Sequence, residues 1–133
     1  MLIKHIDIPQ KGDERGLLSV AQLGEALPFI VRRVYWIHGT QNGVSRGFHA
    51  HKNLKQFFVC VAGSVRIFFT NGFISDTFTL TSFSGGVFVG PRLWREMSDF
   101  SPDCVLMVFT DAEYDEADYI RNHTDFMKYA QTD

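Results

Sequence analysis

Residues 43–63 read GVSRGFHAHKNLKQFFVCVAG, and this stretch decides the fold. A polar segment with two histidines passes into a continuous apolar run at residues 56–61. The pair Ala62-Gly63 then separates that run from a second one, rich in β-branched and aromatic residues, at 64–70. Two such runs joined by a short connection that contains glycine are typical of an antiparallel hairpin. We therefore predict that this region folds as paired β-strands.

The two histidines are expected to share one face of an extended strand. Successive side chains of a strand point to opposite faces, so His49 and His51 point one way while Phe48 and Ala50 point the other. Arg46 falls on the opposite face from His49 unless the intervening glycine bends the chain. Two imidazoles on one face suit a metal site or general acid–base chemistry, and two surface histidines on an edge strand are the structural alternative.

Strand patterns recur along the rest of the chain, whereas helical patterns are rare. Further strand-like runs lie at residues 2–8, 17–22, 29–37, 73–82, 87–89 and 104–110. Short strands at this spacing are typical of a β-sandwich or barrel. Only residues 113–119 and 124–130 read as helical, with Thr124 as the expected N-cap of the second segment. We predict one all-β domain over residues 1–133, a small barrel with a short helical C-terminal segment.

Composition excludes several classes of protein and reveals an uneven charge. The chain of 133 residues is 45% hydrophobic and 21% charged, as in a folded globular domain. Its net charge of −2 divides into +6 over residues 1–95 and −8 over residues 96–133. No Lys/Arg run suits nucleic acid, and no apolar stretch has the length of a membrane helix or the form of a signal peptide. We expect neither nucleic acid nor a membrane as a partner.

The two cysteines, Cys60 and Cys104, lie in apolar strand-like runs. We therefore expect buried free thiols and a cytoplasmic protein. The neighbouring pairs Phe57-Phe58 and Phe68-Phe69 cannot all face one side of a strand. Some phenylalanines must therefore lie on an outer face, which offers a dimer interface.

The spacing of Gly43, His49, His51, Gln56 and Gly63 resembles the first cupin signature. The cupin pattern has glutamate where this chain has glutamine. The second cupin motif is matched only by its proline, and a carboxylate stands where its last histidine would be. A metal-dependent cupin using His49, His51 and Glu96 as ligands remains an alternative. We favour a metal-free jelly-roll barrel in which histidines transfer protons.

A narrower resemblance covers nearly the whole chain. The chain resembles the dTDP-4-keto-6-deoxyglucose 3,4-ketoisomerases, sugar-nucleotide cupins of deoxysugar biosynthesis. The blocks that carry this resemblance are DERG at 13–16, PF at 28–29, RVY at 33–35, RGFHAHK at 46–52, WRE at 94–96, DFS at 99–101 and YDEADYIR at 114–121. The resemblance implies a homodimer with exchanged N-terminal strands, no metal or other cofactor, and a dTDP-linked keto-deoxyhexose as substrate.

The chemistry that the resemblance implies suits histidine. Moving a ketone from C4 to C3 requires loss of the C3 proton, passage through an enediol(ate) and protonation at C4. Imidazole accepts and donates protons near neutral pH. The resemblance assigns His49 as the base at carbon and His51 as its partner, and the opposite assignment stays open.

Arginine recognises phosphate through its planar fork, so basic residues in the matching blocks are candidate ligands of a nucleoside diphosphate. The expected substrate-binding residues are Arg15, Arg33, Tyr35, Arg46, Glu96 and Arg121. Ordinary ion pairs or solvated surface positions are the alternative for each charged member. Two further functions stay open: a non-catalytic sugar-nucleotide-binding protein, and an epimerase that uses the same deprotonation beside a ketone.

Overall fold

The structure, a computed structural model, describes residues 2–133 as two five-stranded antiparallel sheets packed face to face. The strands are β1 (Lys4–Ile6), β2 (Gln10–Asp13), β3 (Gly16–Ser19), β4 (Arg33–Ile37), β5 (Arg46–His51), β6 (Gln56–Ala62), β7 (Ser64–Thr70), β8 (Ser75–Thr81), β9 (Gly86–Val89), β10 (Trp94–Ser98), β11 (Val105–Thr110) and β12 (Tyr119–Ile120). A 3₁₀ turn covers Glu116–Asp118, and one α-helix, α1, covers His123–Ala130. The predicted all-β barrel with a helical C-terminal segment is confirmed.

The first sheet has the strand order β1-β9-β6-β11-β4, and the second has the order β12-β5-β10-β7-β8. The strands alternate in burial, which places one apolar side chain in two between the sheets. These inward residues form the main core, which includes Phe58, Ile67, Phe69, Leu80, Val87, Leu106 and Val108. Outside this core, the side chains of Arg33, Tyr35, Arg46, His49 and Arg121 line a cavity that opens to solvent, and we call this the open end of the barrel.

The hairpin of β2 and β3 stands apart as a two-stranded sheet, and all its residues are exposed. Strand β1 pairs with β9 of the same chain. The sequence analysis did not anticipate β2, β10 or β12, because each is too short or too polar to show a strand pattern.

Helix α1 covers the outer face of the second sheet. Phe126 is fully buried against Ala50 of β5 and Trp94 of β10. The helix begins one residue earlier than expected, and the prediction of Thr124 as its cap is wrong. Asn122 precedes the first helical residue and its side chain accepts the N–H of Asp125, whereas Thr124 already lies inside the helix.

Both cysteines are buried free thiols, as predicted, with their Sγ atoms 4.0 Å apart. Within residues 2–133, no helix combines the length and the apolar character needed to cross a membrane.

Candidate active site

A β-bulge in β5 brings Arg46 and His49 to the same face. Strand β10 pairs Arg95 with His49 but Glu96 with Gly47, so Phe48 is the extra residue of the bulge. Gly47 and Phe48 both have positive φ, at 94° and 56°. Two left-handed residues in a strand reverse the usual alternation, and bulges of this kind re-aim side chains near functional sites. The bend that the sequence left open at this glycine is therefore present.

His49 lies at the open end of the barrel with one nitrogen free. Its Nδ1 lies 3.0 Å from the backbone oxygen of Gly47. A carbonyl oxygen only accepts, so Nδ1 carries the proton and Nε2 keeps its lone pair. Burial, and then the positive charge of Arg95, lower the pKa of His49 to about 4. His49 is therefore a neutral imidazole with an available acceptor nitrogen.

His51 lies deeper and is only 1% exposed. Its ring centroid is 4.9 Å from that of His49 and 4.4 Å from that of Tyr119. Nδ1 contacts the Asp118 carboxylate at 3.0 Å, and Nε2 is buried without a hydrogen-bond partner among the described residues. Burial, and then Arg95 and His49, lower the pKa of His51 to about 2. His51 is thus neutral, and the contact with Asp118 is a hydrogen bond rather than an ion pair.

Four of the six expected binding residues gather around His49 in one cavity of about 360 Å³. We call it the arginine cavity. The residues of this cavity that concern the site are Arg33, Tyr35, Arg46, His49, Tyr119 and Arg121. Their convergence makes the open end of the barrel strongly basic, which suits a multiply charged anion.

Aromatic rings hold two of these arginines in place. The Arg33 guanidinium lies over the rings of Tyr35 and Tyr114, at 5.1 and 5.6 Å from their centroids. Arg121 lies 4.1 Å from the centroid of the Tyr119 ring and donates to both carboxylate oxygens of Glu116. The structural alternative for Arg121, an ion pair with a local carboxylate, is therefore realised, while its guanidinium still lines the arginine cavity.

Arg95 is a site residue that the sequence analysis missed. It is fully buried, donates to the Gln56 side chain and the Leu93 carbonyl, and stays charged because its pKa is lowered only to about 10 by burial. Gln56 in turn donates from Nε2 to the Tyr35 hydroxyl at 3.1 Å. Burial raises the pKa of Tyr35, so its hydroxyl stays protonated. Because that hydroxyl accepts from Gln56, its own proton is free to be donated into the cavity.

Two expected site residues do not join the others within this chain. Arg15 lies on the exposed β2–β3 hairpin and pairs with Asp13 at 2.7 Å, which was the structural alternative. Glu96 accepts from the indole N–H of Trp94 at 2.9 Å on the outer face of the second sheet, beside helix α1. Its neighbour Arg95 faces inward instead, because adjacent residues of β10 point to opposite faces.

The position of Glu96 also removes the carboxylate from the alternative metal site. Within residues 2–133, no three His, Cys, Asp or Glu side chains are placed to hold a metal ion. The alternative ligand set of His49, His51 and Glu96 is therefore wrong in its third member. The sequence carries no signal for Arg95, because the short polar strand β10 shows no strand periodicity.

A two-sheeted barrel with two histidines and several arginines at its open end defines a cupin-type protein with a basic cavity. Residues 1–131 match the family described as "FdtA: WxcM-like, C-terminal", and the chain belongs to this family. The family-level resemblance inferred from the sequence is thereby confirmed.

Individual relatives agree with this assignment. The chain is 47% identical over 117 residues to TDP-4-oxo-6-deoxy-α-D-glucose-3,4-oxoisomerase of Aneurinibacillus thermoaerophilus, covering 88% of this chain and 84% of that protein. Among solved structures, it resembles the sugar 3,4-ketoisomerase QdtA of Thermoanaerobacterium thermosaccharolyticum in complex with TDP, with 35% identity and a TM-score of 0.93. That similarity covers 98% of this chain and 95% of QdtA. The TDP-fucose-3,4-ketoisomerase WlaRA of Campylobacter jejuni is 27% identical, with a TM-score of 0.90 over 98% of this chain and 97% of WlaRA.

Proposed function

We propose that this protein is a 3,4-ketoisomerase that moves the keto group of TDP-4-keto-6-deoxyglucose from C4 to C3. The observation that carries the proposal is the pair of neutral histidines, 4.9 Å apart, beside a cavity lined by arginines. The relatives named above act on TDP-linked sugars, and a histidine-to-asparagine variant of QdtA was solved with TDP-4-keto-6-deoxyglucose.

The reaction divides between the two histidines. His49 Nε2 removes the proton from C3, and the C3–H electrons form a C3=C4 double bond while the C4 oxygen takes negative charge. His51 then takes the proton of the C3 hydroxyl and returns it to the C4 oxygen. As the C3 carbonyl forms, His49 gives its proton to C4, so substrate and product are isomers.

The buried cation and the phenol stabilise the intermediate. Arg95 lies close enough to both histidines to lower their pKa values, so its charge also acts on an enediolate formed between them. Tyr35 presents a free hydroxyl proton to the same cavity. Arg33, Arg46 and Arg121 are the cations available for the two phosphates. We propose these roles for Arg95, Tyr35 and the three arginines together with the reaction itself.

Separate His49→Asn and His51→Asn variants test the proposal against a purely binding role. Each variant keeps a polar amide in place of the imidazole but removes its capacity for proton transfer. We expect TDP affinity to stay within about threefold and turnover to fall roughly 10²–10⁴-fold, the range for one positioned acid–base group. Absence of turnover in the unchanged protein, with TDP still bound, would indicate a sugar-nucleotide-binding protein instead.

We also propose that the protein is a homodimer that exchanges its N-terminal strands β2 and β3, since β1 already pairs with β9 of its own chain. The outer face of the first sheet exposes Trp36, at 56%, together with Val34 and Val61. The β2–β3 hairpin exposes Leu17 and Leu18. An isolated two-stranded hairpin is marginal in water, and a second copy would cover both apolar surfaces.

Sedimentation of Trp36→Glu tests the dimer. The unchanged protein is expected to sediment as a dimer at micromolar concentration, and the variant as a monomer, because a carboxylate would be buried at the interface. Phe73→Glu is the matched control, since Phe73 is an exposed aromatic on the β7–β8 turn of the other sheet. A monomeric unchanged protein would contradict the proposal.

The buried free thiols of Cys60 and Cys104 support a cytoplasmic location, which we also propose.

A further inference from the structure

The hydrogen bond between His51 and Asp118 fixes which nitrogen of His51 carries a proton. Asp118 Oδ2 lies 3.0 Å from Nδ1, and a carboxylate at neutral pH only accepts. The proton is therefore on Nδ1, and the lone pair is on Nε2. Among the described residues no group forms a hydrogen bond with Nε2, although the atom is buried. A buried acceptor without a partner is costly, which indicates that this nitrogen is kept for a ligand.

The Asp118 carboxylate is itself held in place from several sides. Oδ1 accepts the backbone N–H of Asn53 at 2.8 Å, and Oδ2 also accepts that of Leu54 at 3.3 Å. The backbone oxygen of Asp118 accepts from Lys52 at 2.9 Å. Tyr119, the next residue, pairs with His51 across β12 and β5. The carboxylate is only 13% exposed, so it is a fixed partner of the imidazole rather than a mobile surface group.

We propose that Asp118 is the positioning residue of His51: it holds the Nδ1–H form and stabilises the imidazolium that exists while Nε2 carries a proton between the sugar oxygens. In that step the O3–H bond breaks as Nε2–H forms, and Nε2–H then breaks as O4–H forms. This inference rests on the proposed isomerase function.

The surroundings of His51 explain why such a partner is needed. Burial and the positive charges of Arg95, Arg33 and Arg121 all disfavour the protonated ring. A proton relay must nevertheless hold a positive charge briefly. Asp118 is the carboxylate in direct contact with this ring, and a hydrogen-bonded carboxylate stabilises a transient imidazolium.

Asp118→Asn tests the proposal by reversing the tautomer. The amide oxygen is expected to stay on the N–H of Asn53, which turns the amide NH₂ toward His51 Nδ1. Nδ1 must then accept, so Nε2 carries the proton and no longer has a lone pair. We expect kcat to fall roughly 10²–10⁴-fold while KM and TDP affinity change less than about threefold. Asp115→Asn is the control, because that carboxylate accepts only from Ala117 in the neighbouring turn and should leave kcat unchanged.

A ¹⁵N spectrum of the histidine side chains separates positioning from a merely structural role. In the unchanged protein His51 should show a protonated Nδ1 and an unprotonated Nε2, and in Asp118→Asn the reverse. An unchanged protein with the proton on Nε2 would overturn the inference even if the variant failed to fold. A folded Asp118→Asn with kcat within about threefold of the unchanged protein would overturn it as well. If the unchanged protein binds TDP but never turns over, the proposed function fails instead, and the tautomer remains measurable.

Discussion

At the scale of single residues, the site is organised around the buried positive charge of Arg95. This guanidinium bonds to a neutral amide and a backbone carbonyl, and no carboxylate of the described chain bonds to it directly. Its charge is therefore not neutralised locally, and after burial, the larger cause, it lowers the pKa values of His49 and His51 and keeps both unprotonated. A neutral imidazole is the form that removes a proton. In the proposed reaction, the same positive charge would therefore help to keep the base neutral and would stabilise the anion that the base generates.

The pH dependence of kcat/KM should show the effect of the Arg95 charge on the pKa of His49. Because the pKa of His49 is lowered to about 4, the base stays neutral as pH falls, and activity should hold from pH 8 to about 5 before declining. Arg95→Met removes the positive charge, so the pKa should rise and the acid limb should move toward 6.5, the value of an unperturbed histidine. Arg95→Lys, which keeps the charge, is the control. An acid limb near 6.5 in the unchanged protein would contradict this account.

Gln56 stands where the cupin pattern has a glutamate, and we expect its neutrality to matter for activity. It accepts from Arg95 and donates to Tyr35. In Gln56→Glu the new carboxylate would neutralise Arg95 and accept the Tyr35 proton. The site would then lose the buried positive charge of Arg95 and the hydrogen-bond donor of Tyr35, while Arg33, Arg46 and Arg121 would remain. We expect at least a tenfold loss of kcat with TDP affinity retained, measured against the exposed control Gln131→Glu. Equal kcat in the two variants would show that this amide has no such role.

At the scale of elements, the bulge of β5 and the helix behind it set the geometry. Phe48 and Gly47 take left-handed conformations so that Arg46 and His49 face one cavity. On the reverse side, helix α1 buries Phe126 against Ala50, which lies between the two histidines. The backbone oxygen of His51 is fixed from a third side, since it accepts from the backbone N–H of Arg92 at 2.7 Å.

Gly47→Ala should damage both stability and activity. A Cβ at this position would lie 3.0 Å from the Arg95 carbonyl oxygen and 3.3 Å from its Cγ, and φ is 94°. The left-handed conformation alone costs an alanine about 1–2 kcal/mol, so Tm should fall by several degrees. Relaxation of the bulge would also turn His49 away from Arg46 and lower kcat.

Gly90→Ala provides the matched control for that substitution. A Cβ at Gly90 meets nothing within 4 Å, and its φ is not positive. Its Tm should match or slightly exceed that of the unchanged protein. Thermal melts in which the two alanine variants behave alike would mean that the bulge is not under conformational constraint.

Some of these elements could be predicted from the sequence and others could not. The apolar runs of β6, β7 and β11 and the shared face of His49 and His51 followed from alternation alone. The short polar strands β10 and β12 could not be predicted in this way, because no periodicity in the sequence distinguishes them from loops. Arg95 and Asp118 lie on or beside those two strands, so their roles depended on pairings between residues far apart in the chain.

In the molecule as a whole, the basic and acidic parts of the sequence contribute mainly to different cavities. Arg33 and Arg46, from the basic part of the chain, line the cavity at the open end of the barrel. Arg95, from the same part, is buried next to it and pairs with His49 across β10 and β5. The acidic part contributes Asp111, Glu113 and Asp118 to an adjoining cavity of about 230 Å³. This cavity shares Arg33 and Tyr119 with the arginine cavity and is also lined by His51. The nearly neutral total therefore conceals a basic cavity beside an acidic one, and only the basic one suits a nucleoside diphosphate.

Strand exchange would complete the site with Arg15 of a second copy, and mixed dimers can test this. Arg15→Ala and His49→Asn homodimers should each be impaired. Co-expressed together, they should recover activity in about a quarter of sites, since half of randomly assorted dimers are mixed and each has one intact site. Absence of recovery, or full activity of Arg15→Ala alone, would contradict a shared site.

The most direct test of the central claim is proton NMR of the reaction in D₂O with TDP-4-keto-6-deoxyglucose. Proton transfer through His49 and His51 predicts a product with its keto group at C3 and deuterium gained at C4, because the imidazole proton exchanges with solvent. Unchanged substrate without deuterium incorporation, under conditions in which TDP binds, would contradict the account.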